Sequence, residues 1–142
     1  MSIWIKIIFF ALNSFFISTT FAYDDIKISK VISVYDGDTI RVNIDSFPDI
    51  IGKNIRIRLK GIDTPEIKGK CQKEIDLAIM ARDYLKTTIN KSNQIELRNI
   101  KRGKYFRIVG DLYLDNTNIS ELMIKRKLGY KYLDGRKRNF CL

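Results

Sequence analysis

Beyond Ala22, apolar and polar residues alternate in short runs along most of the chain. Ile26, Ile28, Ile32 and Val34 fall on one face of an extended segment with Lys27 and Ser33 on the other, the period of two expected of a half-buried strand. Ile40, Val42 and Ile44 alternate in the same way with Arg41 and Asn43. Between the two runs, Tyr35-Asp36-Gly37-Asp38 predicts a hairpin turn, its Asp-Gly pair suited to tight reversal because glycine tolerates positive φ. After a loop marked by Pro48 and Gly52, Ile55, Ile57 and Leu59 predict a third strand whose other face carries Arg56, Arg58 and Lys60.

Pro65 stops that strand, since proline donates no backbone hydrogen bond and pushes its predecessor towards extended geometry. Lys73 to Asn90 then lacks Gly and Pro and sets Ile75, Ile79, Arg82, Leu85 and Ile89 at helical spacing. Leu77, Met80, Ala81 and Tyr84 widen the stripe, so one well-buried helix is expected. Ile95 and Leu97 predict a short fourth strand. A fifth has Phe106, Ile108, Leu112 and Leu114 alternating with Tyr105, Arg107, Val109 and Tyr113. Asn118 with Glu121 three positions on has capping-box spacing and starts a second helix, running through Leu122 and Ile124 to a stop near Gly129. Five strands, one helix after the third and another after the fifth, form a mainly β architecture: a small Greek-key barrel with two helices packed outside.

The segment before the first strand has a different character. Met1 to Ala22 carries a single charge, Lys6, then Ile7 to Leu12, an Asn13-Ser14 break and Phe15-Phe16-Ile17. Thr20 and Ala22 provide small residues at minus three and minus one, so residues 1–22 are expected to be a cleaved secretory signal and 23–142 one mature domain. An uncleaved anchor is the alternative, but the apolar run is shorter than the roughly 20 residues a spanning helix needs. The mature protein is therefore expected to be secreted or periplasmic, without stable membrane insertion, and a monomer. Export into an oxidising compartment lets the two cysteines, Cys71 and Cys141, pair within the chain. Closing so long a loop contributes about 4 kcal/mol in the loop-entropy account.

Composition narrows the chemistry. The 142 residues include no histidine, which excludes Ser-His-Asp and Cys-His nucleophile pairs, His-ligated zinc and histidine general bases. Two cysteines are too few for a Cys-only zinc site or a four-cysteine cluster. With 26 Lys plus Arg against 16 Asp plus Glu, the net charge of +10 favours a polyanionic partner.

Carboxylates and guanidinium groups are left to do the work. Asp38 follows the first turn, and Asp63 and Glu66 flank Thr64-Pro65 at the end of the third strand. Two such carboxylates at about 5 Å repel by roughly 3 kcal/mol at an effective dielectric near 20, so a counter-charge is needed. Hard oxygen donors select calcium or magnesium over zinc. Arg58 and Arg107 offer forks for phosphate oxygens, and Glu66 is placed to orient and deprotonate a water. Together these describe a metal-assisted phosphodiesterase. Taken singly, each has a plainer use: the Asp36–Thr39 stretch as a turn, Asp63–Glu66 as a helix start, Arg56, Arg58 and Lys60 as a solvated face, and Arg107 as one exposed cation among Lys101, Arg102 and Lys104.

Order and spacing together resemble the staphylococcal (micrococcal) thermonuclease family. The residues that carry the resemblance are Val34-Tyr35-Asp36-Gly37-Asp38-Thr39-Ile40, Arg56 to Glu66, Lys104-Tyr105-Phe106-Arg107, and Ile119-Ser120-Glu121-Leu122 to Leu128-Gly129. The resemblance spans about Ile32 to Tyr132 and implies an OB-fold and a Ca2+-dependent nuclease acting on DNA and RNA and leaving 3′-phosphates. It implies Asp38, Asp63 and the Thr64 carbonyl as calcium ligands, Glu66 as general base, Arg58 and Arg107 as catalytic arginines, and Tyr105 as a substrate-phosphate contact. Where the family shows D-x-Y-G-R, Gly103 and Phe106 stand at the acidic and glycine positions, and the resemblance is not expected to extend to the family's long final helix. Tyr130 and Tyr132 are both open as base-stacking residues or as core.

The rival reading is a catalytically silent OB-fold module that binds single-stranded nucleic acid. Such a binder has no use for Asp38, Asp63 and Glu66, whose charges repel phosphate unless a metal intervenes. A protein resting on anionic lipid ranks last, because no amphipathic cationic helix follows Ala22.

Overall fold

The structure, a computed structural model, describes residues 25–132 and 135–142. The expected signal segment and its cleavage point lie outside the described residues.

The backbone runs β1 (Ile26–Lys27), β2 (Lys30–Val34), β3 (Thr39–Asn43), α1 (Asp49–Gly52), β4 (Ile55–Leu59), β5 (Ile62–Asp63) and α2 (Gln72–Lys91). It continues through β6 (Ile95–Arg102), a 3-10 turn at Lys104–Phe106, β7 (Ile108–Leu114), β8 (Thr117–Asn118), α3 (Ile119–Lys125) and β9 (Tyr130–Lys131). One sheet has the order β1-β6-β7-β4-β3-β2, with β8 added to β7, and β5 pairs with β9 in a second small sheet. All its neighbours are antiparallel except β4 and β7, which run parallel. The two ends of the large sheet are pieces of one segment. Ile28 N–H donates to Ile95 O (2.9 Å) and Ser29 N–H to Asn43 O (3.0 Å), so β1 and β2 curl the sheet shut and leave few open edges. This is the expected mainly β OB-fold, with three α-helices among the described residues rather than two.

Inside sit Ile40, Val42, Ile57, Leu59, Leu97 and Leu112, all essentially inaccessible, closed by Leu85 of α2 and by Ile119 and Met123 of α3. Each fully buried Ile or Leu contributes about 2 kcal/mol through the water it sheds. On β4, Ile57 and Leu59 point inward and Arg56 and Arg58 away from the core, as the alternation predicts.

Several expectations are corrected. The first strand is two strands, and a register shift between Val31 and Ser33 turns Ile32 outward, leaving it 45% exposed. A bulge inserts an extra residue, and period-two reasoning fails beyond it. Gly37 has no positive φ; a Cβ there would lie 2.8 Å from both the Ala81 Cβ and the Thr64 Cγ2, so close packing under α2 is what calls for glycine. The buried stripe of α2 is Glu74, Ala78, Ala81, Leu85 and Ile89, while Ile79 and Met80 face outward. Alanines let the helix lie close over the turn below. Tyr105 and Phe106 belong to the 3-10 turn, not to β7.

The cap of α3 is as predicted: Asn118 Oδ1 accepts from Ser120 N–H (3.0 Å) and Glu121 N–H (3.3 Å). Its end comes earlier, at Lys125. Lys127 adopts φ +61° and donates to Ile124 O (2.9 Å), while Leu128 N–H reaches Met123 O (3.0 Å), a Schellman closure built without glycine. Gly129 serves instead where β9 meets β5, since a Cβ would stand 2.9 Å from the Asp63 carbonyl.

Candidate active site

Local turn chemistry sets the first carboxylates. Asp36 Oδ1 accepts the Asp38 N–H (3.1 Å), and Tyr35 N–H donates to Thr39 O (2.9 Å), closing the β2–β3 turn. Asp38, 5% exposed, is then engaged on both oxygens: Oδ1 accepts from the Thr39 hydroxyl (3.1 Å), Oδ2 from the Thr64 N–H (3.1 Å) and hydroxyl (2.8 Å). Arg58 Nη1 lies 2.7 Å from the same Oδ2. Because β3 and β4 pair Thr39 with Arg58, this ion pair follows from sheet register.

Arg58 is held on both sides of its fork. Nη1 donates to Leu59 O (3.3 Å) and Nη2 to Ile62 O (2.9 Å), while Nη2 stands 3.9 Å from Asp63 Oδ1. Asp63, also buried, ends β5 and takes the Arg138 N–H on Oδ2 (2.8 Å). Asp38 and Asp63 therefore flank one guanidinium, with Thr64 buried between the two segments. Glu66 lies on the following loop, half exposed, and pairs with Lys137. That loop is tied to α2 by Glu74, whose carboxylate accepts the Lys70 N–H (2.8 Å) and the Glu66 N–H (3.5 Å).

Arg107 follows the 3-10 turn, which closes through Gly103 N–H to Arg107 O (2.8 Å). A Cβ on Gly103 would come within 2.5 Å of Val109 Cγ2, so glycine at this position lets the turn fold down onto β7. The Arg107 Nε is buried and has no hydrogen-bond partner among the described residues. A cation left in that condition suits an incoming anion, because an unmade charged hydrogen bond is costly.

Asp38, Arg58, Glu66 and Arg107 all open on one groove of about 660 Å³, with Arg56, Lys101, Lys104 and Lys137 adding positive charge. Tyr105 stands beside this groove, 88% exposed at φ +57°, in an adjoining depression with Ile55, Arg56 and Arg107. Tyr132 lines the groove, its ring 5.9 Å from the Arg58 Cζ. Tyr130 packs elsewhere, 5.7 Å from the Phe140 ring. Neither tyrosine is core.

Negative charge is crowded at the floor. Burial, then the charge of Asp38, pushes the Asp36 carboxyl up to about 7. Burial likewise raises Asp63, against the Arg138 N–H that lowers it, and the charge of Asp38 adds to the rise. Among the described residues, Asp38, Asp63 and Glu66 do not bring their carboxylate oxygens within 4.8 Å of one another; the group that does so is Cys71, Glu74 and Cys141, whose two cysteines are already spent in a disulfide.

Sequence reasoning did not find Lys137 or Glu74. Lys137 was visible only as part of a basic ending, and Glu74 as one charge on an amphipathic helix.

A closed OB barrel with a cationic groove on its wall is an architecture for gripping a phosphate backbone. The chain belongs to the staphylococcal nuclease family: the family described as "Staphylococcal nuclease homologue" matches residues 56–139. That span holds Arg58, Asp63, Glu66 and Arg107 and begins after Asp38. Among relatives, the chain is 32% identical over 90 residues, 63% of its length, to "Staphylococcal-like nuclease CAN1" of Arabidopsis thaliana, of which the match covers 26%. It is 34% identical over 84 residues to "Probable staphylococcal-like nuclease CAN1" of Oryza sativa subsp. japonica, covering 59% of this chain and 23% of that one. The chain thus spans about a quarter of the length of these curated relatives.

Proposed function

We propose that this nuclease-type domain is an exported, calcium-dependent phosphodiesterase cutting DNA and RNA. The observation that carries the reading is the groove itself, where one carboxylate outside the buried set, Glu66, opens beside two guanidinium groups, one with a buried Nε that has no hydrogen-bond partner among the described residues. Relatives named staphylococcal-like nucleases support it, and the Cys71–Cys141 disulfide, with Cα atoms 6.0 Å apart, supports an oxidising compartment.

In this reading a substrate phosphate enters between Arg58 and Arg107. Glu66 takes a proton from a water as its oxygen attacks phosphorus, and the 5′-oxygen leaves, so the phosphate stays on the 3′ side. Both arginines donate to the non-bridging oxygens, whose added charge in the transition state they stabilise more than the ground state. Asp38, Asp63 and the Thr64 carbonyl would hold the calcium ion, which when bound supplies positive charge beside the phosphate and makes a nearby water more acidic. Tyr132 offers a face for a nucleotide base.

Digestion of single-stranded DNA and RNA by the purified protein, with calcium, magnesium or chelator and alongside Glu66→Gln, tests this. Cleavage that needs calcium and is slowed at least a hundredfold by the substitution is expected. Undiminished cutting in chelator, or by Glu66→Gln, would remove the mechanism. Binding without any cleavage would favour the silent OB-fold module.

A further inference from the structure

The last eight described residues are tied to the body of the fold at several points. Cys141 is bridged to Cys71, the residue that caps α2. Phe140 is buried against Tyr130, and the Arg138 guanidinium lies 4.1 Å from the same ring while its N–H holds Asp63. Among the described residues of this tail, Lys137 is the one that lines the groove, where its ammonium meets Glu66.

We propose that Lys137 is a substrate-phosphate contact, delivered to the groove by the disulfide-anchored tail. This rests on the nuclease reading of the same groove. The other cations there come from β4 and the residue after it, and from the end of β6 and the β6–β7 connection, so Lys137 adds positive charge from a third, distant part of the chain. Its side chain is 63% exposed and that of Glu66 42%, and a solvent-screened pair of this kind is weak. A phosphodiester oxygen is a stronger-bound competitor for the ammonium once neighbouring arginines hold the same phosphate backbone. Arg138, held by Asp63, and Cys141, held by Cys71, fix the backbone immediately after the lysine, so its charge is presented with less loss of freedom on binding.

Binding of a fluorescent single-stranded thymidine octanucleotide, in chelator and across a series of salt concentrations, tests the assignment. Lys137→Gln is expected to weaken binding about fivefold at low salt and to reduce the slope of log K against log salt by about 0.7, the loss of one phosphate contact on a single strand. Lys137→Arg restores both, and Lys91→Gln, at the far end of α2, changes neither. Reducing the disulfide should mimic Lys137→Gln and add nothing to it. Should reduction unfold the protein, as thermal melting would reveal, the lysine variants still decide. An unaltered slope in Lys137→Gln overturns the proposal. So does tighter binding or faster cleavage by that variant, which would make the Lys137–Glu66 pair an inhibitory latch. Wild-type protein that cuts while Lys137→Gln keeps its slope defeats this inference alone; protein that binds the octanucleotide with the expected slope change but never cuts defeats the nuclease reading alone.

Discussion

Thr64 reaches across 26 positions to hold Asp38 twice, its N–H at 3.1 Å and its hydroxyl at 2.8 Å from the same carboxylate oxygen. The end of the short strand β5 is thereby locked to the β2–β3 turn, and Asp38 is aimed at Arg58. Hydrogen bonds to a buried ionised acceptor are among the stronger ones, so Thr64→Val, which keeps the shape and removes the hydroxyl, should cost about 2 kcal/mol. Urea unfolding measures it, and Thr64→Ser should recover most of the loss.

Gly37→Ala is expected to destabilise by about 2 kcal/mol through overpacking, although the backbone there suits any residue. The added methyl would press on Thr64 and Ala81, neither of which has room to yield. Chemical denaturation of the variant decides; a change within experimental error would mean that the turn moves freely under α2.

Calcium should stabilise the folded chain independently of any cleavage. At a hundred times its dissociation constant the gain is about 2.7 kcal/mol, seen as a rise in Tm that chelator reverses. Asp38→Asn should abolish that rise. A calcium-induced shift of the same size in the variant would place the ion elsewhere.

Arg107→Lys keeps the charge and removes the fork. Since the buried Nε has no hydrogen-bond partner among the described residues, the variant should lose about a hundredfold in kcat with a smaller change in KM. Steady-state kinetics on a labelled oligonucleotide separate the two. Equal losses in KM alone would make Arg107 a binding residue only.

Removing the disulfide by Cys71→Ser with Cys141→Ser should lower stability by up to about 4 kcal/mol, because a loop of 70 positions is no longer closed in the unfolded chain. Denaturation of the double variant, against wild type with and without reductant, tests it.

Much of this molecule is legible in local pattern. Ile40, Val42, Ile57 and Leu59 are core because alternate residues of a strand share a face, and Asn118 caps α3 because its short side chain reaches the free N–H groups of the first turn. The grouping of Arg58 with Asp38 was accessible too, once β3 and β4 were read as neighbours. What pattern missed were irregularities: the bulge that exposes Ile32, the turn that lifts Tyr105 out of β7, and the alanine rather than isoleucine face of α2. Each arises where packing between distant segments overrides local periodicity.

Residue types and their spacing determined the barrel, its caps and the absence of imidazole chemistry, since these depend on side-chain period and on which groups exist at all. Tertiary structure alone decided that Asp63 meets the Arg138 backbone, that Glu66 meets Lys137, and that Tyr132 rather than Tyr130 borders the groove. Those contacts join parts of the chain about 70 positions apart, and no local rule connects them; they exist because a closed barrel and one disulfide fold the last residues back over the middle of the chain.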